Sequence, residues 1–333
     1  MSRIQKIPLS IQLFIASALL LLTMFFGVSF GAADTSLSNV WHAIWSDNSS
    51  EHASILREIR FPRVIAAVIV GAALAVAGAI MQGMTRNPLA DPGLLGLTAG
   101  ANLMLTVAII FLPSLNYIPI MLACFLGAAI GMVLVYSVGA SSKGGMSPLK
   151  LVLAGSAISM FLQALAEGLG ILFKVSKDVS MWTAGGLIGV TWQALVVVPF
   201  VIVALLLSIG FSRQLTILSL NEEVAVGLGQ KTFLIKTILF VVVVVLAGTA
   251  VAIVGNLAFI GLMIPHIVRG LVGADYRAII PMSILVGAIF MVSVDVIGRT
   301  LYAPFETPIV ALVSVIGLPF FLLLIRRGGR FFA

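Results

Sequence analysis

The chain has 333 residues, of which 61% are hydrophobic and 9% charged, and its mean hydropathy is +1.20; a soluble domain is about one-quarter charged. Those values exclude a set of water-exposed globular domains and polar low-complexity disorder, and leave an all-α polytopic membrane protein. The net charge of +7 is not a nucleic-acid signal, because basic residues in membrane proteins hold loops on the cytoplasmic side.

Apolar runs of about 17–25 residues mark the membrane helices, and ten can be followed along the chain. The first, about 9–30, has Arg3 and Lys6 ahead of it and Gly31-Ala32-Ala33 behind it. That resembles a signal peptide, but the apolar core is too long for one, so it reads as a retained helix. Residues 31–61 form an outer segment with Trp41, Trp45, Ile55, Leu56 and Ile59, predicted to be an amphipathic helix at the interface. Four spans follow at about 63–84, 93–112, 117–139 and 149–173, and a sixth at 191–211. The inner segment 212–231 carries Leu218, Leu220, Val224 and Leu228, spaced for one or two short helices. The last four spans lie at about 232–254, 256–272, 279–299 and 307–325. The eighth is short and is interrupted by Pro265.

Ten spans put both termini on one side. With that side cytoplasmic, the only Lys and Arg outside are Arg57, Arg60, Arg63, Lys174, Lys177 and Arg299, against thirteen inside. The bias fixes orientation, and the six outer cations need a separate reason. The lone Cys124 rules out an intramolecular disulfide and reads as helix packing.

A shift of 177 residues aligns Gly71 with Gly248, Ala73 with Ala250, Gly78 with Gly255 and Pro88 with Pro265. The second span runs inward and the seventh outward, so the repeat has inverted topology. Such repeats enclose a substrate path with broken segments near their interface. The candidates are RNPLADPGLLG (86–96) and FIGLMIPHIVRG (259–270). Gly71, Ala73, Ala77 and Gly78 are small enough for close helix approach.

The chemistry is sparse. No G-x-x-x-x-G-K-[ST] loop exists, and GLGQKT (227–232) lacks the spacing to wrap a phosphate. His42, His52 and His266 are too scattered for a metal site. Only Glu167 and Asp295 are clear ionisable residues within spans, and such residues are functional candidates by default. Asp295 precedes Arg299 by four residues, so the two can pair on a helix; Glu167 lies toward the outer third of the fifth span. The residues describe a conduit without an energy source of its own.

Five motifs sharpen that reading. RFPR (60–63), GAALAVAGAIMQGMTRNPLADPGLLG (71–96), LNEEVAVGLG (220–229), FIGLMIPHIVRGLVGADYR (259–277) and DVIGR (295–299) resemble the permease family of ferric-siderophore, haem and cobalamin ABC importers. The resemblance runs from about residue 57 to the C-terminus. It implies a single transmembrane permease domain over 1–333 with the type II importer architecture, in a bacterial cytoplasmic membrane with both termini inside. It also implies a second permease subunit, identical or paralogous, two copies of an ABC ATPase that uses ATP and magnesium, and an extracytoplasmic substrate-binding protein. No cofactor belongs to this chain itself. By the same resemblance, Arg60, Arg63 and Arg299 are docking points for acidic residues of the binding protein. Glu222, Ala225 and Gly229 match the segment that couples to the ATPase, while Glu223 departs from the apolar residue of some relatives. Ser147, Pro148 and Leu149 align with the cytoplasmic gate, where Pro148-Leu149 departs from the small hydroxyl residues that relatives can have.

The expected function is import of a ferric siderophore by alternating access, with cobalamin or haem as alternative cargo. An ion-coupled secondary transporter is the competing class, supported by the inverted repeat and Glu167. A membrane-embedded enzyme has no catalytic constellation to support it.

Overall fold

The computed structural model describes residues 7–31, 54–93, 96–112, 117–140, 148–184, 186–220 and 222–326. Among these residues there is no strand. Seven helices are long and apolar enough to cross a membrane, and three shorter apolar helices complete the pattern of ten.

In chain order the helices are α1 (Leu9–Ser29), α2 (Phe61–Thr85), α3 (Leu97–Phe111), α4 (Tyr117–Ala140), α5 (Pro148–Leu172), α6 (Ser176–Ala184) and α7 (Val198–Gly210). They continue with α8 (Ser212–Leu220), α9 (Glu222–Gly227), α10 (Thr232–Val254), α11 (Ile260–Val272), α12 (Tyr276–Thr300) and α13 (Ile309–Arg326). A 3₁₀ turn, Trp192–Val197, leads into α7. Below, the end of the bundle that carries Arg60, Arg63 and Arg299 is called outer, following the charge bias.

The second span begins earlier than its hydropathy suggests. Helical structure starts by residue 54 and runs through a π turn, Leu56–Arg60, into α2. Pro62 explains the turn. Proline has no N–H to give to the carbonyl four residues back, and the widened turn, closed by Phe61 N–H on the Leu56 carbonyl, takes up the mismatch. Ile55, Leu56 and Ile59 therefore extend a membrane helix instead of belonging to a separate interfacial one. Trp41 and Trp45 lie outside the described residues.

α2 is the central helix, with 83% of its span window buried against 22% for α1. It packs against α10, α11 and α12. Alanine and glycine make this possible: Gly71, Ala73, Ala77 and Gly78 are all buried. A Cβ at Gly78 would collide with the Gly261 carbonyl oxygen, so the two backbones touch. On the other side of the bundle α3 and α4 pair closely. A Cβ at Gly100 would collide with the Gly127 carbonyl oxygen, and one at Gly131 with the Gly96 carbonyl oxygen. Two G-x-x-x-G steps, 96–100 and 127–131, thus face one another. Cys124 is fully buried in the core beside them.

The order of long span, break and short helix occurs twice, once from α2 to α3 with a break that includes 86–93, and once as α10–(255–259)–α11. α2 ends where Gly83 meets Leu215 and Tyr276, whereas α10 ends where Gly255 meets Thr183, so the two units run in opposite directions. The residue register of the two breaks differs from the sequence expectation. Residues 86–93 do leave the helix, but in FIGLMIPHIVRG only Phe259 lies in the break, and Pro265 sits inside α11. The helix survives because α2 supplies what the proline removes. The carbonyls of Gly261 and Leu262, four and three residues before Pro265, accept from Gln82 Nε2 at 3.1 and 3.3 Å. Gln82 is 2% exposed, so this is a side chain repairing a broken ladder inside the bundle.

Candidate functional site

The outer end holds the three arginines singled out by sequence, and the structure brings them together. Arg60 and Arg63 lie one turn apart on the π turn and α2, and Arg299 ends α12. Arg63 Nε donates to Asp295 Oδ1 at 2.9 Å. Its two terminal nitrogens donate to the two Glu306 carboxylate oxygens at 2.8 Å each, a planar forked pair. Arg299 Nη2 stands 2.9 Å from Asp295 Oδ2, so the i,i+4 pair expected from the sequence is present. That oxygen has no aligned hydrogen bond, however. The Arg299 contact is coulombic, and Arg63 is the better oriented partner of Asp295.

Further donors go to the end of α1. Arg60 Nη1 donates to the carbonyls of Val28 and Ser29 at 2.9 and 3.0 Å, and Arg299 donates to those of Gly27 and Phe30 at 2.8 and 3.1 Å. These carbonyls belong to the last turn of a helix, where orphan acceptors and the negative end of the macrodipole attract cations. α1 has no basic residue of its own there; α2 and α12 provide them. The cluster ties α1, α2, α12 and the segment after α12 into one knot. Arg60, Arg63 and Arg299 are only 4%, 6% and 2% exposed. Burial and these internal acceptors leave little of the guanidinium groups open to a carboxylate from another protein. Glu306, at 25% side-chain exposure, is the accessible member. Sequence reading missed it, and its partner lies 243 positions away.

The inner end holds the proposed coupling segment. It forms two short helices, as the spacing predicted: α8, packed on α2 and α12, then α9. Glu222 opens α9, and Ala225 on it is fully buried. Gly229 follows α9 at φ +79°, and the reversal is closed by Gln230 N–H on the Ala225 carbonyl at 3.0 Å, the left-handed ending that glycine permits. Val224, Val226 and Leu228 are exposed. α8 is braced to the start of α12: Tyr276 N–H donates to Thr216 Oγ1 at 3.0 Å, and that hydroxyl donates to Asp275 Oδ1 at 3.0 Å. Asp275 also caps α12 through Arg277 N–H. Its carboxyl is held below the usual range, chiefly by the Arg277 guanidinium, against a smaller opposing effect of burial.

Of the gate residues, Ser147 lies outside the described residues. Pro148 and Leu149 open α5, where a proline in the first turn loses no hydrogen bond. His266 packs edge-on against Phe320, with ring centroids 5.8 Å apart. Glu167 is exposed on α5 and accepts from Gln163 Nε2 at 3.1 Å. Among the described residues no group of three or more His, Cys, Asp or Glu could hold a metal ion.

Known proteins resemble this chain in both sequence and fold. The FecCD transport family model matches residues 19–327. The chain belongs to that family. It is 46% identical to the iron(3+)-hydroxamate import system permease protein FhuB of Bacillus subtilis, over 94% of this chain and 82% of that one. It is 36% identical to the ferric enterobactin transport system permease protein FepD of Escherichia coli, over 97% and 95%. It is also 38% identical to the hemin transport system permease protein HmuU of Yersinia pestis, over 89% and 90%. A solved structure described as a metal-chelate type ABC transporter, inward-facing, superposes with a TM-score of 0.80 at 29% identity, covering 96% of this chain and 99% of that one. The chain is therefore a membrane transport permease of all-helical fold.

Proposed function

We propose that this chain is the permease subunit of an ATP-driven importer that carries a ferric chelate across a bacterial cytoplasmic membrane, with both termini inside. The observation that carries the reading is near-full-length similarity at 46% identity to an iron–hydroxamate permease, which favours a ferric hydroxamate as cargo over haem or cobalamin. A separate ATPase, present in two copies, seats against α9, where Val224, Val226 and Leu228 are exposed. Its motion enters the bundle through α8 and the Thr216–Asp275 brace. A second permease, identical or paralogous, completes the path. An extracytoplasmic binding protein delivers cargo at the outer end, its carboxylates recognised by Arg60, Arg63 and Arg299. Because those arginines are engaged internally, docking there is an exchange of carboxylates in which Glu306 is the one displaced from Arg63. ATP and magnesium are used by the ATPase and no cofactor resides in this chain.

The test is reconstitution of the permease with its ATPase in liposomes, followed by uptake of an iron-labelled ferric hydroxamate presented on the binding protein. Uptake is expected to require ATP and to vanish when the ATPase's phosphate-loop lysine is substituted. Uptake by the chain alone down a proton or sodium gradient would overturn the reading in favour of a secondary transporter.

A further inference from the structure

Asp295 and Glu167 both lie within spans, and the fold treats the two carboxylates in opposite ways. Asp295 is 0% exposed and is flanked by two arginines. Glu167 sits on the exposed face of α5, and among the described residues it has no ion-pair partner. What it has instead is a ladder of amides. Asn102 Nδ2, on α3, donates to Gln163 Oε1 at 3.2 Å, and Gln163 Nε2 donates to Glu167 Oε1 at 3.1 Å. Asn102 is 4% exposed, and its own Oδ1 has no hydrogen-bond partner, so the ladder starts in the core and donates outward. Each step turns an N–H donor toward the carboxylate at its tip, and amides in series polarise one another. The second carboxylate oxygen is left to accept from whatever passes. Next to Glu167, a Cβ at Gly168 would meet no other atom of this chain within 4 Å.

Glu167 lies about 7 Å along the axis from the outer end of α5. An ionised carboxylate is not left facing hydrocarbon at that depth without a cation or water. An exposed carboxylate backed by a buried donor chain suits an aqueous route.

From this geometry we infer that Glu167, held by Gln163 and Asn102, is a polar cargo contact in the outer third of the water-filled route. Its charge favours chelates that are cationic or that present N–H and O–H donors, and disfavours anionic ones. The inference rests on the chelate-import reading, but its test needs neither cargo nor ATP. In a Cys124→Ala background, Ala164→Cys and Ile171→Cys place a thiol one turn to either side of Glu167, both at exposed positions. The assembled permease–ATPase complex in nanodiscs is treated with methanethiosulfonate reagents carrying either a trimethylammonium or a sulfonate group. Both reagents are expected to react, the cationic one faster. Glu167→Gln is expected to lower the cation-to-anion rate ratio by about tenfold, since a unit charge one turn away in water changes each rate by about threefold. Glu167→Lys is expected to invert the ratio. Two results overturn the inference: thiols at both positions that neither reagent modifies, or a ratio that is the same with Glu, Gln and Lys at 167. Neither result bears on ATP-dependent uptake, so failure here is separable from failure of the import reading.

Discussion

Asp295→Asn is the sharpest probe of the outer knot. The substitution keeps the side chain's shape and one acceptor oxygen, removes the charge, and turns the other oxygen into an N–H donor beside an arginine. Asp295 is 0% exposed and its neighbours Arg63 and Arg299 are 7% and 3% exposed at the side chain, so two guanidinium groups lose a buried counter-charge. Breaking a buried pair from one side costs about 3–5 kcal/mol. Glu306→Gln removes the other carboxylate from the same arginine, but at 25% exposure solvent replaces much of what is lost, and the cost is about 1 kcal/mol. At about 2 °C per kcal/mol for a chain of this size, the two variants separate clearly. Asp295→Asn should lower the unfolding midpoint of the detergent-purified permease by about 6–10 °C, and Glu306→Gln by about 2 °C, followed by tryptophan fluorescence. The double variant should lose more than the sum, because Arg63 then has neither carboxylate. Equal shifts for the two single variants, or strict additivity, would refute this account of the knot. Glu306→Gln also reads docking. With its competitor neutralised, Arg63 should bind the binding protein's carboxylate several-fold more tightly, whereas weaker or unchanged association would count against carboxylate exchange.

Gln82→Leu keeps the volume beside α11 but leaves the Gly261 and Leu262 carbonyls without their side-chain donor. A loss of about 1–3 kcal/mol is expected in the same unfolding assay, and an unshifted midpoint would mean that α11 does not need the repair. Asp275→Ala removes the α12 cap and the tie to Thr216, for which about 1 kcal/mol is typical of a cap. The pH dependence has a definite sign. Because the Asp275 carboxyl is held low, its stabilisation is fully present above the unfolded-state value of about 3.9 and is lost as pH falls through the lower native value. The gap between wild type and Asp275→Ala should therefore stay constant from pH 8 to 5 and close only under stronger acid, as seen in unfolding midpoints across pH. In transport assays the same variant should keep ATP hydrolysis while lowering uptake per ATP.

The spans were legible because hydrocarbon imposes a length and an apolar composition that any window reveals. The limits of that legibility are physical. Hydropathy placed the second span at 63, whereas the helix runs back through the π turn to residue 54, since a charged turn such as Leu56–Arg60 can be helical without being apolar. Pro265 read as a break, yet α11 continues through it because Gln82, 179 positions before the Gly261 carbonyl that the proline orphans, fills the gap. A proline inside an apolar run does announce an orphan carbonyl four residues earlier, and a polar residue in a facing span is where to look for its donor. The Asp295–Arg299 pair was readable because it is local on one helix. Arg63–Asp295 and Arg63–Glu306 were not, being contacts across 232 and 243 positions. Sidedness brought Arg60, Arg63 and Arg299 to one end of the bundle. Only coordinates show that they are buried there and occupied.

α2 carries Arg63 at one end and, at the other, Gly83 in contact with Leu215 and Tyr276. Twenty residues of unbroken helix separate them, a stiff rod of about 30 Å. Tilting such a rod by about 10° displaces one end relative to the other by about 5 Å, more than the reach of any hydrogen bond in the knot. A rocking movement started at α8 would thus arrive at Arg63 as a swing large enough to pull its fork out of Glu306. The two ends of the permease would then be joined by a lever, and loading at one face could be felt at the other without any chain of small side-chain adjustments between them.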